Sequence, residues 1–145
     1  PLKCSEGIEG AALEPRTVWI APGDHHMTVE RERNGMRIRL TNEPPVHSCR
    51  PAVDPLFLSV ADAYGSAALG IILTGMGHDG YKGCERIRDA GGAVLVQDEA
   101  SSVVWGMPGI VARAGIADRV VPLDEMAAEI AKRVSLGVRR KAPVG

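Results

Sequence analysis

The sequence is poor in cysteine and aromatic side chains, and it lacks both a long apolar run and a large excess of one charge. Its three cysteines, Cys4, Cys49 and Cys84, are odd in number and widely separated, so their spacing predicts neither a disulfide framework nor a zinc site. A reducing cytoplasm is the simplest location. No apolar run approaches the length that crosses a bilayer, and no basic start followed by an apolar stretch indicates a secretory signal.

The charge is nearly balanced, with 17 basic and 18 acidic side chains and a formal net charge of -1. This balance gives no field that would attract nucleic acid or an anionic membrane, so we expect neither as a partner. A chain of 145 residues that is 45% hydrophobic can bury a core, and we expect one domain over residues 1–145. Residues 1–15 are expected to be irregular and residues 136–145 to form a frayed tail. The start at Pro1, without a methionine, is consistent with a processed product or a fragment of a longer polypeptide.

The first third of the chain carries the patterns of antiparallel strands. Residues 17–21 and 26–30 are typical of strands, and Asn34-Gly35 is typical of a tight hairpin turn. Over residues 36–40, apolar side chains alternate with arginines, which indicates a strand with one solvated face. We therefore expect a β-hairpin in this part of the chain.

The last two thirds alternate helical and strand patterns. Asp54-Pro55 predicts a helix start, because aspartate caps helices and proline favours the first helical position. Further strands are predicted over residues 67–73, 93–97 and 119–121, and further helices over residues 81–90, 108–115 and from 123 onward. The alternation predicts an α/β fold, with a doubly wound, mostly parallel sheet of Rossmann-like type and an antiparallel hairpin at one edge.

The glycine-rich turn after the first of these strands has three interpretations. Gly75, Gly77 and Gly80 match the dinucleotide-binding fingerprint, and Asp98 follows at roughly the twenty-residue distance of a ribose-binding carboxylate. Against this, Asp79 would lie near the pyrophosphate and repel it. In the second interpretation Asp79 is itself functional, a carboxylate at a helix N-terminus that orients an imidazole. In the third, Asp79 is only a helix cap and the glycines are turn residues.

Four segments carry a family resemblance: IAPGDHH (20–26), RPAVDPLF (50–57), ILTGMGHDGYKG (72–83) and QDEASSVVWGMP (97–108). Together they resemble the chemotaxis protein-glutamate methylesterases of CheB type. They stand in the family's order and extend over nearly the whole chain. The resemblance implies a cytoplasmic serine hydrolase that removes methyl groups from glutamate methyl esters on chemoreceptors, releases methanol, and also deamidates receptor glutamines. It implies no metal and no organic cofactor.

The resemblance gives roles to two residues of the glycine-rich turn. Asp79 corresponds to the triad acid, which accepts a hydrogen bond from an imidazole and stabilises the imidazolium formed during acyl transfer. Met76 corresponds to the position whose backbone N–H contributes to the oxyanion hole. The family's nucleophile lies in a Gly-Ala-Ser-Thr-Gly-Gly turn and its general base in a Gln-His-Met-Pro segment, and neither string occurs in these 145 residues. This chain would therefore supply the acid and the oxyanion loop, but neither the triad serine nor the triad histidine.

Other serines, histidines and cysteines are weaker candidates for the missing roles. We expect the serines after residue 97 to satisfy turn or cap hydrogen bonds, the histidines near the hairpin to be turn or surface residues, and the cysteine of the second helix to be a core residue. These residues are Ser101, Ser102, His25, His26 and Cys84, and His78 is held beside Asp79 in the same turn. His47 lies where the family commonly has an Asn-Gly-His spelling before Arg-Pro, so the sequence departs from the family there.

Three functional hypotheses follow for the chain. The first is a hydrolase whose serine and histidine lie upstream of Pro1, with the cytoplasmic domain of a methyl-accepting chemoreceptor as its protein substrate. The second is a dinucleotide-binding module, and the third is a noncatalytic fragment that docks to a receptor. A receiver domain usually precedes the catalytic domain in this family, but nothing in the present sequence matches one. Strands missing before Pro1 would expose a sheet edge, which favours self-association.

Overall fold

The computed structural model describes residues 1–140, with side chains through residue 135. The elements follow in the order β1 (Lys3–Glu6), β2 (Thr17–Ile20), β3 (His26–Glu32), β4 (Gly35–Thr41), α1 (Val53–Tyr64), β5 (Leu69–Ile72), α2 (Tyr81–Asp89), β6 (Ala93–Gln97), α3 (Met107–Arg113), β7 (Arg119–Val121) and α4 (Leu123–Arg140). Of the tail that was expected to be frayed, residues 136–140 continue α4, and residues 141–145 lie outside the described part.

A parallel sheet is formed by β5, β6 and β7 in that order. Leu69 of β5 pairs with Ala93 of β6, and Leu95 of β6 pairs with Arg119 of β7. Each strand is followed by a helix, which confirms the predicted α/β class with a parallel, helix-covered sheet. The bounds of β6 and β7 match the prediction, because short apolar runs between turn residues are a clear signal of buried strands.

Helices cover both faces of this sheet. Because successive strand residues point to opposite faces, Val94 and Val96 of β6 lie on one side and Leu95 on the other. The first side packs against α1, α2 and α3, with a buried core made of Ala61, Ala68, Ile72, Cys84, Ile87, Val94, Val96, Val111 and Ile116. On the second side, Leu95 packs with Val121 of β7 and Met126 of α4.

The predicted hairpin is present as β3 and β4, which form a two-stranded antiparallel sheet of their own. Glu32 pairs with Gly35, so the turn lies at residues 33–34, one position earlier than the sequence indicated. The hairpin packs on α1, where the Val29 N–H donates to the Ser59 hydroxyl over 3.0 Å. Among residues 1–140 it does not extend the parallel sheet as an edge strand, and α1 joins the two instead.

The start of the chain differs from the prediction. Residues 3–6, within the segment expected to be irregular, form β1 and pair in parallel with β2, with Lys3 opposite Thr17. This strand was difficult to predict because its four residues show no alternation of apolar and polar side chains, and all four are exposed. No helix within the described residues is both long enough and apolar enough to cross a membrane.

Helix α1 begins one residue before the predicted cap. Its N-cap is Ala52, which provides no side-chain hydrogen bond, and Asp54 is the second helical residue. The prediction that Asp54 caps this helix is therefore wrong. The carboxylate that caps α1 belongs to Asp79, which lies in the glycine-rich turn before α2. This long-range cap is part of the candidate site.

Candidate active site

The glycine-rich turn lies at the carboxyl end of β5, where the segment before α3 holds it in place. The Gly75 N–H donates to the Val104 carbonyl over 3.1 Å, and the Gly75 carbonyl accepts the N–H groups of Gly106 and Met107 over 3.0 and 2.9 Å. Gly77 has a φ of 89°, a left-handed conformation that favours glycine. The turn is thus fixed by backbone contacts at the end of the sheet where α/β proteins place their ligands.

A buried side-chain amide ties the ends of β5 and β6 together beneath this turn. Gln97, 1% exposed, accepts hydrogen bonds from the Thr74 N–H and hydroxyl over 2.8 and 2.9 Å. Its amide nitrogen donates to the Ser101 carbonyl over 2.8 Å. Because both ends of the amide are satisfied, Gln97 fixes the spacing between the two loops that border the site.

Asp79 caps α1 although it lies immediately before α2. Its two carboxylate oxygens accept the backbone N–H groups of Val53 and Asp54 over 2.7 and 2.9 Å. Those N–H groups have no partner within their own helix, and the partial positive charge of the helix N-terminus stabilises the carboxylate. Each carboxylate oxygen can accept a second hydrogen bond, so Asp79 keeps capacity for an imidazole.

Asp54, in turn, caps α2. One of its oxygens accepts the Gly83 N–H over 2.9 Å, and the other lies 2.8 Å from Nε2 of His47. Asp54 is buried like Asp79, so the two carboxylates sit side by side with backbone N–H groups around them. The starts of α1 and α2 are therefore locked to each other by reciprocal caps.

A cavity of about 300 Å³ opens beside these carboxylates. Two histidines form part of its wall, with the His47 and His78 rings packed edge to face at 4.3 Å between centroids. The lining residues are His47, Ser48, Cys49, Met76, Gly77, His78, Asp79 and Met107. The structure thus brings both predicted site residues, Asp79 and Met76, to one cavity.

Met76 lines the cavity and is exposed by 82%. Among the described residues, no backbone carbonyl accepts its N–H group, so this donor is available to a ligand. A free backbone donor of this kind is what an oxyanion hole requires.

His47, Asp54 and Asp79 are the one described group of side chains that could be considered as metal ligands, with ligand atoms within 4.8 Å of one another. Every carboxylate oxygen in this group already accepts an N–H. Two helix N-termini also point at the cluster, and their dipoles favour anions over cations. The donor set is therefore suited to hydrogen-bonded carboxylates and not to a metal ion.

The geometry does not support a dinucleotide site at Gly75, Gly77 and Gly80. In such a site the pyrophosphate occupies the N-terminus of the following helix, and here the Asp54 carboxylate already occupies the N-terminus of α2 through the Gly83 N–H. Asp98, the predicted ribose-binding residue, instead accepts the N–H of Ser101 over 3.0 Å and caps its own turn.

The alternative nucleophiles occupy structural positions. The Ser101 hydroxyl donates to Asp98 over 2.5 Å and accepts the Leu123 N–H over 3.0 Å, while the Ser102 hydroxyl donates to the Asp98 carbonyl over 2.6 Å. Burial, with a further contribution from the charge of Asp54, raises the pKa of the Cys84 thiol to about 12. These three side chains are neither free nor activated.

His26 differs from its predicted place on the surface. It is 1% exposed, its Nε2 lies 2.9 Å from the Pro44 carbonyl, and its Nδ1 accepts the Ala52 N–H over 3.2 Å. His26 thus supports the segment that leads into α1, whereas His25 only contacts the Gly23 carbonyl, over 3.1 Å. This role could not be predicted from the local sequence, because the partners of His26 lie 18 and 26 residues away along the chain.

The pairing of His47 with Asp54 was also missed from the sequence. Asp54 had a sufficient local explanation as a helix cap, and His47 lay where the sequence departs from the family's spelling. Their separation of seven residues is not a spacing that brings side chains together in a regular element. The burial of Asp54, which points to a partner of this kind, is visible only in the structure.

Comparison with known proteins was consistent across sequence and structure. The family model described as CheB methylesterase matches residues 1–130. A protein-glutamate methylesterase/protein-glutamine glutaminase of Maricaulis maris is 52% identical over 136 residues, covering 94% of this chain and 34% of that protein. One of Trichodesmium erythraeum is 58% identical over 129 residues, covering 89% of this chain and 37% of that protein.

The fold is also similar to a solved one. The CheB methylesterase catalytic domain of Thermotoga maritima superposes with a TM-score of 0.85 at 35% identity, over 90% of this chain and 68% of that chain. The present chain spans only 32% to 40% of the length of the curated relatives compared with it.

Proposed function

This chain belongs to the CheB methylesterase family, and from that premise we propose that it is the C-terminal portion of a single catalytic domain that hydrolyses glutamate methyl esters and glutamine amides on chemoreceptors. The observation that carries the proposal is Asp79, a buried carboxylate fixed by two backbone N–H groups at the wall of the cavity. The reciprocal capping with Asp54 explains how it is held.

The reaction uses the triad arrangement. A serine hydroxyl attacks the γ-carbonyl carbon of the substrate, and a histidine takes the hydroxyl proton and returns it to the leaving methanol or ammonia. Water then attacks the acyl-enzyme, the same histidine takes one proton from this water and gives it to the departing serine oxygen, and the glutamate carboxyl group is released. Asp79 accepts the imidazole N–H and stabilises the imidazolium, while the Met76 N–H stabilises the oxyanion. The serine and histidine come from segments that these 145 residues do not contain.

The partner is the cytoplasmic domain of a methyl-accepting chemoreceptor, and the reaction takes place in the cytoplasm. A receiver domain elsewhere in the polypeptide would regulate it, in line with the family resemblance. The balanced charge of the chain gives no field that would attract nucleic acid or an anionic membrane surface.

The decisive experiment measures methanol release from a methylated chemoreceptor. The 145-residue chain is compared with the same chain extended upstream to include the serine and histidine segments. Activity in the extended form alone supports the proposal. Activity in the short chain would mean that its nucleophile is a residue dismissed above, and inactivity of both would reject the hydrolase.

The role of Asp79 has its own test in the extended form. Asp79→Asn is expected to lower turnover by roughly 10⁴-fold, because the amide no longer holds the imidazole in the reactive tautomer. Asp62→Asn is the matched control, since Asp62 is exposed and pairs with Arg86 away from the cavity. Receptor binding without turnover, unaffected by Asp79→Asn, would favour a docking role.

A further inference from the structure

His47 lies at the tip of a tight turn with a left-handed backbone conformation. Val46 and Cys49 exchange backbone hydrogen bonds of 3.0 and 2.9 Å, and the two residues between them, His47 and Ser48, have φ values of 52° and 62°. Two successive positive φ angles define a turn in which asparagine and glycine are the preferred residues. Strain of this kind is concentrated at functional sites, which directs attention to the side chain at the tip.

The His47 ring is oriented by a buried acid. Nε2 lies 2.8 Å from an Asp54 oxygen, and that carboxylate also accepts the Gly83 N–H. An ionised carboxylate can only accept, so Nε2 carries the proton and donates it. In the neutral ring, Nδ1 then holds a lone pair. No other described residue donates to Nδ1, and the ring lines the same cavity as Asp79 and Met76.

We propose that His47 is a specificity-determining residue of the cavity, whose Nδ1 accepts a hydrogen bond from the amide nitrogen of a glutamine substrate. This inference rests on the proposed function and adds a preference between its two substrates. A glutamine side chain carries two N–H donors, whereas a glutamate methyl ester carries none at the same place. A fixed acceptor at this place stabilises the bound amide through a hydrogen bond. When the ester is bound, the acceptor has no donor to pair with.

The first test observes the ring directly and requires no turnover. The ¹⁵N-histidine-labelled chain is studied by two-bond ¹H–¹⁵N NMR at about pH 8, where free imidazole is neutral. The expected spectrum has the proton on Nε2 of His47. Titration with N-acetyl-glutamine methylamide is expected to shift the Nδ1 resonance, and titration with the corresponding γ-methyl ester is expected to leave it in place.

The second test measures selectivity in the extended, active form. His47→Gly retains a residue suited to the turn and removes every side-chain acceptor, and it is expected to lower the ratio of kcat/KM for amide over ester by about tenfold. His47→Asn, which also suits the turn and places its carbonyl oxygen where Nδ1 lies, is expected to restore part of the ratio. His25→Gly, the same substitution in a histidine outside the cavity, is the control.

The outcomes separate this proposal from the proposed function. A ratio unchanged within about twofold in His47→Gly, with both activities present, overturns the role of His47 and leaves the hydrolase intact. A proton on Nδ1, or an equal response of Nδ1 to both probes, also overturns it. If the extended form hydrolyses neither substrate, the hydrolase fails, and a selective response of Nδ1 to the amide probe still supports His47 as an amide-binding residue.

Discussion

Asp54 and Asp79 have a shared structural role, because each caps the helix whose start lies beside the other. Asp79 lies before α2 but caps α1, and Asp54 lies in α1 but caps α2. A conventional N-cap stabilises one helix locally. Here the same hydrogen bonds also fix the position of one helix relative to the other, so the site geometry depends on both carboxylates.

Replacing Asp79 by alanine is expected to lower the free energy of unfolding by about 2 kcal/mol, because two buried N–H groups lose their acceptor. Asp79→Asn keeps one acceptor oxygen and is expected to cost less. Urea denaturation of the chain measures both changes. Asp62→Ala serves as control, since an exposed ion pair contributes less than about 1 kcal/mol. Equal losses in Asp79→Ala and Asp62→Ala would argue against the capping role.

The three thiols of the chain should differ sharply in reactivity. Cys4 and Cys49 are exposed, whereas Cys84 is buried with its thiol pKa raised to about 12. Only thiolates react with disulfide reagents. We therefore expect two thiols to titrate rapidly with a disulfide reagent in the folded chain, and the third only after a denaturant is added.

The raised pKa of Cys84 also has a consequence for stability. An unfolded thiol ionises near 9 and the folded one near 12, so the folded state holds its proton more tightly. This contribution is complete below pH 9 and is lost as the pH rises between these two values. Rapid reaction of all three thiols in the folded chain would contradict the burial of Cys84.

At the scale of elements, α1 and α2 approach closely because Gly83 has no side chain. A Cβ at position 83 would lie 2.4 Å from the Cβ of Phe57, a distance that forces one helix to move. The contact brings the starts of α1 and α2 close enough for Asp79 to cap α1 and for Asp54 to cap α2. The capping and the helix packing therefore support each other.

Gly83→Ala is expected to destabilise the chain by about 1–3 kcal/mol through overpacking, although alanine favours helices more than glycine does. The melting temperature in thermal unfolding measures the effect. Gly23→Ala is the matched control, because a Cβ at Gly23 meets nothing within 4 Å. A stabilising effect of Gly83→Ala would show that propensity outweighs the close approach of the helices.

The same elements show what the sequence could and could not predict. The strands β6 and β7 were predicted to the residue, because a buried parallel strand is a short apolar run between turn residues. The start of α1 was missed because its cap comes from Asp79, 25 and 26 residues further along the chain. The resemblance led to Asp79 and Met76, but the pairing of His47 with Asp54 depends on a fold-back that no local pattern encodes.

At the scale of the whole molecule, the surface around β1 and β2 is unusual. Two four-residue strands pair in parallel there, yet parallel sheets in proteins are normally covered on both faces. Apolar side chains remain exposed in this region: Leu2 by 67%, Ile8 by 65%, Val18 by 43% and Ile20 by 56%. Among residues 1–140 no further strand pairs with β1 or β2. Such a surface favours association with other protein surfaces.

The chain by itself is therefore expected to self-associate as its concentration rises. Val18→Lys combined with Ile20→Lys should shift association to at least about tenfold higher concentration, because charges on an exposed strand oppose edge pairing. Val134→Lys is the control, as Val134 is exposed by 57% on α4. Sedimentation velocity over a concentration series measures all three chains. If both sets of lysine substitutions weaken association equally, the contact lies elsewhere. If the wild-type chain is monomeric at every concentration, the exposed surface of β1 and β2 does not drive association.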